Sequence, residues 1–170
     1  MSIRTTFAAM LASLFLVPQV HAANGQWTTV ASACVPDESS AGKYVADGAT
    51  VQFAAAQTGE IVLRCNITAP ADFGNNMDPV WTNMEVTYGD ADGMAAGSRV
   101  LVILRRAGIG GITATIAGAV FDSNLFAAGP TNTDPFFHVF DFTNTAYFLE
   151  IRLSRNAVNL ATRILRVRLW

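Results

Sequence analysis

At 170 residues with a net charge of −2 and one lysine (Lys43), the chain lacks the clustered positive charge that sequence-independent nucleic-acid binding needs. Hydrophobic residues make up 51% and charged residues 14%, a balance that suits one folded domain and argues against a disordered chain. After the first 22 residues every apolar run is interrupted by polar or charged residues, so no transmembrane span is expected in the remainder.

The first segment reads as an export signal. Arg4 supplies a basic n-region, Phe7 to Val17 an apolar h-region, and Pro18 breaks it. Val20-His21-Ala22 then places small residues where a signal peptidase cuts. Residues 1–22 are therefore expected to be removed. Residues 23–170 are expected to form a single β-sandwich domain, secreted or periplasmic.

The mature part contains only Cys34 and Cys65. An oxidising compartment favours pairing them. The loop so closed, about 31 residues, is worth roughly 3–4 kcal/mol by chain entropy. A zinc site would need more ligands than these two thiols and the one remaining histidine, His138, so no cofactor is expected.

Strand signals follow one another with almost no helix between them: Gln26–Ser32, Thr50–Ala54, Glu60–Asn66, Met84–Tyr88, Arg99–Arg106, Thr113–Phe121, Phe136–Phe142, Tyr147–Ser154 and Arg163–Trp170. Gly, Asp, Asn and Pro mark the turns between them. Eight or nine short strands at this spacing predict an all-β fold, a single antiparallel, jelly-roll-like β-sandwich. Tyr147, Leu149, Ile151 and Leu153 alternate with Phe148, Glu150, Arg152 and Ser154, so one face of that strand is core. Val100 to Leu104 is apolar on both faces and needs cover on both. An outer-membrane barrel is the weaker reading, because Trp170 shares its face with Arg166 and Arg168 rather than with Leu165, Val167 and Leu169.

Three groups of residues could carry function. Asp90 and Asp92, in Asp90-Ala91-Asp92-Gly93, could supply two carboxylates to calcium; the remaining ligand spacing is missing, and the sequence fits an acidic turn better. Among the tryptophans Trp81 is the best exposed candidate for stacking on a sugar, since Asn75-Asn76-Met77-Asp78-Pro79 precedes it; burial in the core is the plainer role for Trp27, Trp81 and Trp170. Glu60, Glu85 and Glu150 could act as a catalytic acid pair only if the fold brought two together. No G-x-S-x-G surrounds any serine, His138 lies in an aromatic strand, and no catalytic residue is assigned.

The Ala33-Cys34-Val35-Pro36-Asp37 segment, Gly59 to Cys65, Val86 to Gly93, and His138 to Phe142 followed by Tyr147 to Leu153 form a series of landmarks. Together they resemble a group of uncharacterised secreted bacterial β-sandwich-like proteins. Those share a CVPD…C opening, a Y-x-D-x-D-G turn and a closing F-x-F…Y-x-x-x-x-x-L pair. The resemblance implies export and β structure and no particular activity. The function expected is noncatalytic binding of a glycan or cell-surface component. A pilin-like structural subunit is the alternative, and a secreted hydrolase is less favoured.

Overall fold

The computed structural model describes residues 25–69, 79–127 and 129–170; the export signal expected over residues 1–22 lies outside them. Eleven strands follow in order: β1 (Trp27–Val30), β2 (Val35–Pro36), β3 (Tyr44–Asp47), β4 (Thr50–Phe53), β5 (Gly59–Ile67), β6 (Val80–Gly89), β7 (Ser98–Gly108), β8 (Thr113–Asp122), β9 (Thr131–Val139), β10 (Thr145–Arg155) and β11 (Arg163–Leu169). They form two antiparallel sheets. One has the order β3-β4-β11-β6-β9, with β1 also paired to β11. The other has the order β2-β5-β10-β7-β8. The all-β sandwich expected from the strand pattern is the fold, and its two sheets are separate rather than one closed ring.

The nine strands expected are all present, joined by two that are short. β2 is two residues and β3 four, too brief to show a period in the sequence. The core lies between the sheets. Val100, Val102 and Leu104 of β7 and Leu149, Ile151 and Leu153 of β10 face Met84 and Val86 of β6 across it, all at most 1% exposed. At about 25 cal/mol per Å² of apolar surface, these alternating aliphatic rows are what holds the two sheets together. On the outer face of β7, Ile103 is covered by its in-register neighbours, Glu150 on β10 and Val120 on β8.

β11 departs from a simple alternation. It pairs with β6 along its whole length, but the register shifts between Ile164 and Arg166. Leu165 is the extra residue of a β-bulge, and it changes which face each side chain takes. Ile164, Val167 and Leu169 are therefore in the core, while Leu165 is only half-buried. The expected Leu165–Val167–Leu169 face is corrected at its first member. Arg166 and Arg168 do lie on the outer face, where both donate to Glu85, at 2.7 and 2.9 Å.

β9 also shifts from its expected place. It starts at Thr131 and ends at Val139, so Phe140 and Phe142 lie beyond it in the connection to β10. Pro135 is accommodated because β9 is an edge strand that pairs only with β6, and a register shift in β6 between Trp81 and Asn83 lies opposite.

Cys34 and Cys65 are disulfide-bonded. Val35 pairs with Arg64, so Cys34 and Cys65 continue the same antiparallel register by one step. Their Cα separation of 4.5 Å is that of a directly opposed, non-hydrogen-bonded pair. The bridge sits where the chain leaves β1 in one sheet and enters β2 in the other.

Candidate binding site

The sandwich has two ends. One carries the loops after β6, β8 and β10; the other carries the turns after β7 and β9. The structure divides the three residues singled out from sequence between them, with Asp90 and Asp92 at the first end and Trp81 at the second.

Asp90 follows β6 directly and is 7% exposed. Its Oδ1 is hydrogen-bonded to Ser98 Oγ, and its Oδ2 accepts from Ser123 Oγ at 2.5 Å. Ser123 Oγ in turn accepts from the Val100 N–H at 2.8 Å. Asp92 accepts from Gly97 N at 2.7 Å, from Ser98 N at 3.1 Å, and from Ser98 Oγ at 2.6 Å. Gly97 has to be glycine here, because a Cβ would meet Asp92 Oδ2 at 2.5 Å. Burial raises the pKa of Asp90, and the neighbouring Asp92 pushes it the same way. The Ser98 hydroxyl, ahead of the backbone donors, lowers that of Asp92. Both carboxyls are thus spent within the loop, as an acidic turn requires. Among the described residues no cluster of three or more Asp, Glu, His or Cys is placed to hold a metal.

Trp81 is not a platform. It is 0% exposed, and its Nε1 donates to the Gly25 carbonyl at 2.8 Å. Phe140 meets its ring edge-on at 4.6 Å and Phe142 at 6.2 Å. The register shift between Trp81 and Asn83 turns it inward, out of step with Met84, Val86 and Tyr88, and a ring packed on both sides has no face to offer a ligand. Its part is to support the aromatic cluster beneath the second end.

The three glutamates do not form an acid pair with a free member. Glu85 holds Arg166 and Arg168 on the outer face of one sheet. Glu150, on the outer face of the other, binds Arg105 at 2.9 Å and Arg152 at 2.6 Å, and Glu60 lies 3.9 Å from the same Arg152. Burial works against the charge on Glu150, but the two arginines outweigh it and hold its pKa below the ordinary glutamate value.

The second end opens between the sheets. Arg106, the β8 residues Thr115 to Ala117, and Phe137 and His138 of β9 line a concavity of about 250 Å³. β8 leaves this gap because its pairing to β7 slips between Ile103 and Arg105, and Gly118 takes a φ of 75° in the slack. Phe137, on the outward phase of β9, is 72% exposed. His138 is on the inward phase and meets Phe140 edge-on at 4.9 Å. Its Nε2 is 3.3 Å from Tyr147 Oη. Burial, then the nearby Arg106, lowers its pKa. Beside this concavity a second, of about 470 Å³, is lined by Asn66, Ile109, Phe142 and Asn144. Ile109, Ile112 and Val139 are exposed at the same end. An aromatic face beside hydrogen-bonding groups is the combination that binds sugars and other amphipathic ligands.

Sequence reasoning passed over Phe137 and Arg106. Counting β9 from Thr131 instead of Phe136 would have shown Phe137 on the outward phase with Thr131, Thr133 and Val139.

No family model and no curated protein matches the sequence. Among solved structures, the chain is similar over 85% of its length to a family two carbohydrate esterase from Cellvibrio japonicus, at 13% identity and a TM-score of 0.41, covering 33% of that chain. It is similar over 86% to an exo-β-1,3-galactanase from Phanerochaete chrysosporium crystallised with galactose, at 9% identity and 0.42, covering 29%. It is similar over 85% to a protein of infectious bursal disease virus, Gx strain, at 15% identity and 0.38, covering 31%. The chain spans about a third of these proteins' length or less, and such distant likenesses carry no argument about ligand or chemistry.

Proposed function

We propose that the protein is an exported, noncatalytic binding module whose ligand is a carbohydrate or a cell-surface component that displays one. The observation that carries this reading is the exposed ring of Phe137 at the lip of a concavity shared with Arg106, Thr115 and His138. A sugar ring has an apolar face and a polar rim, and it needs both kinds of contact at one place. An exposed aromatic is worth about 0.5–1.5 kcal/mol in such a contact, on the scale of aromatic pairing beyond area burial. The pairing of Cys34 with Cys65 supports residence in an oxidising compartment.

A glycan array probed with the purified exported chain tests the reading, followed by titration of the best ligand. Binding is expected at micromolar to millimolar strength, with Phe137→Ala reducing it about tenfold while the thermal midpoint stays unchanged. Failure of every saccharide to bind, or full binding by Phe137→Ala, would overturn it.

A further inference from the structure

We infer that the ligand is an anionic saccharide, its charge carried by carboxylate or sulfate oxygens that Arg106 meets. The inference rests on the binding reading above and adds the class of ligand.

Arg106 pairs in register with Tyr147, on the face of the sheet that turns inward. An arginine there would ordinarily be buried at high cost or held by a carboxylate. Arg106 is instead exposed, because the strands part at this end of the sandwich. Six of the described arginines are paired with carboxylates. Arg155 donates to the carbonyls of Ala54, Gln57, Val158 and Leu160. Among the described residues only Arg106 and Arg163 have no such partner, and of these two Arg106 lines the concavity beside Phe137.

Thr115 pairs in register with Arg105 and accepts from its Nη1 at 3.0 Å on the outer face of the sheet, so it takes no share of the Arg106 guanidinium. Tyr147 Oη accepts from the Asp141 N–H at 2.9 Å and lies 3.3 Å from His138 Nε2, a contact that holds the imidazole in place beside the opening. Asp141, in the connection after β9, is occupied by Thr143 N and by Asn144 N and Nδ2. Asp134 lies deeper along β9, where burial raises its pKa. The opening thus offers a guanidinium with no carboxylate partner, with an imidazole and an exposed aromatic ring alongside. Anionic oxygens on a sugar match that set, and a planar guanidinium binds them in a forked geometry a neutral hydroxyl cannot use.

The test titrates the whole exported chain with three probes: an oligogalacturonide for carboxylate, a sulfated dextran oligosaccharide for sulfate, and a neutral dextran oligosaccharide. An acidic probe is expected to bind at least tenfold more tightly than the neutral one, with affinity falling as salt rises. Which acidic probe binds identifies the anion. Arg106→Gln should abolish the preference, and Arg106→Lys should restore part of it. Phe137→Ala should weaken acidic and neutral probes alike. Equal binding of all three probes, or an acid preference that survives Arg106→Gln, overturns the inference but leaves the binding reading standing. Binding of none of them overturns the inference, and the glycan array then decides the binding reading.

Discussion

Asp90 and Asp92 both reach for one hydroxyl, that of Ser98, which lies within hydrogen-bond distance of an Oδ1 of each. A hydroxyl has a single proton to donate. The two carboxyls compete for it, and a proton on one of them relieves the competition; the more buried residue, Asp90, is the one whose pKa is raised, so we expect the proton there. The resulting chain runs from the Asp90 carboxyl proton to Ser98 Oγ, and from the Ser98 proton to Asp92.

The sign of the pH dependence follows. A raised carboxyl pKa gives stability that is full below the unfolded value and lost as pH rises through the folded one. A lowered pKa, as in Asp92, gives stability present above the ordinary value and lost as pH falls through the depressed one. The pair is expected to favour folding most between its two folded pKa values, where it keeps one proton. Asp90→Asn supplies a permanent donor to Ser98 and an acceptor to Ser123, so it should be neutral at low pH and stabilising relative to the parent at high pH. Asp92→Asn removes the charge that the Gly97 and Ser98 N–H groups point at, and should cost about 1.5–3 kcal/mol near neutrality. Urea denaturation from pH 4 to pH 9 measures both. A constant difference between Asp90→Asn and the parent across that range would contradict the proton assignment.

Calcium is expected to leave the melting temperature unchanged. The oxygens of Asp90 and Asp92 are already occupied by donors, and a protonated Asp90 leaves the pair one negative charge. A saturable stabilisation by calcium, lost in Asp92→Ala, would show that the ion displaces the proton.

The bulge in β11 makes a prediction that a regular strand would not. Val167 is 1% exposed, and Val167→Asp should unfold the domain or destabilise it by several kcal/mol. Leu165→Asp, on the half-buried bulge residue, should cost about 1–2 kcal/mol at most. Arg166→Ser should cost about 0.5 kcal/mol, because Arg168 still holds Glu85. Thermal denaturation of the three variants would show the order, and equal effects of Leu165→Asp and Val167→Asp would remove the bulge.

Reduction should weaken the fold without rearranging it. Replacing Cys34 and Cys65 by serine is expected to lower stability by about 2–5 kcal/mol. Peptide mapping of periplasmic protein under non-reducing conditions should recover the two cysteines joined. Two free thiols in folded protein would contradict the pairing.

Most of the sandwich was legible in the sequence, since alternation along β10 and the apolar run of β7 state their faces directly. What escaped was whatever breaks the period. At Leu165 a bulge uses one residue without advancing the partner strand, so every position before it changes face, which a fixed two-residue repeat does not show. Trp81 was misjudged because polar residues precede it, while its burial is set by Phe140 and Phe142, some sixty positions later. The opening beside Arg106 is assembled from β7, β8 and β9, and no single segment carries its pattern.

The strand at the centre of the six-stranded sheet is also the last of the described strands in sequence. β11 binds β1 and β4 along one edge and β6 along the other, with Trp27 opposite Leu169 across almost the whole described chain. Until residues 163–169 are available, β1 and β4 have no link to β6, and closing contacts this distant is slow.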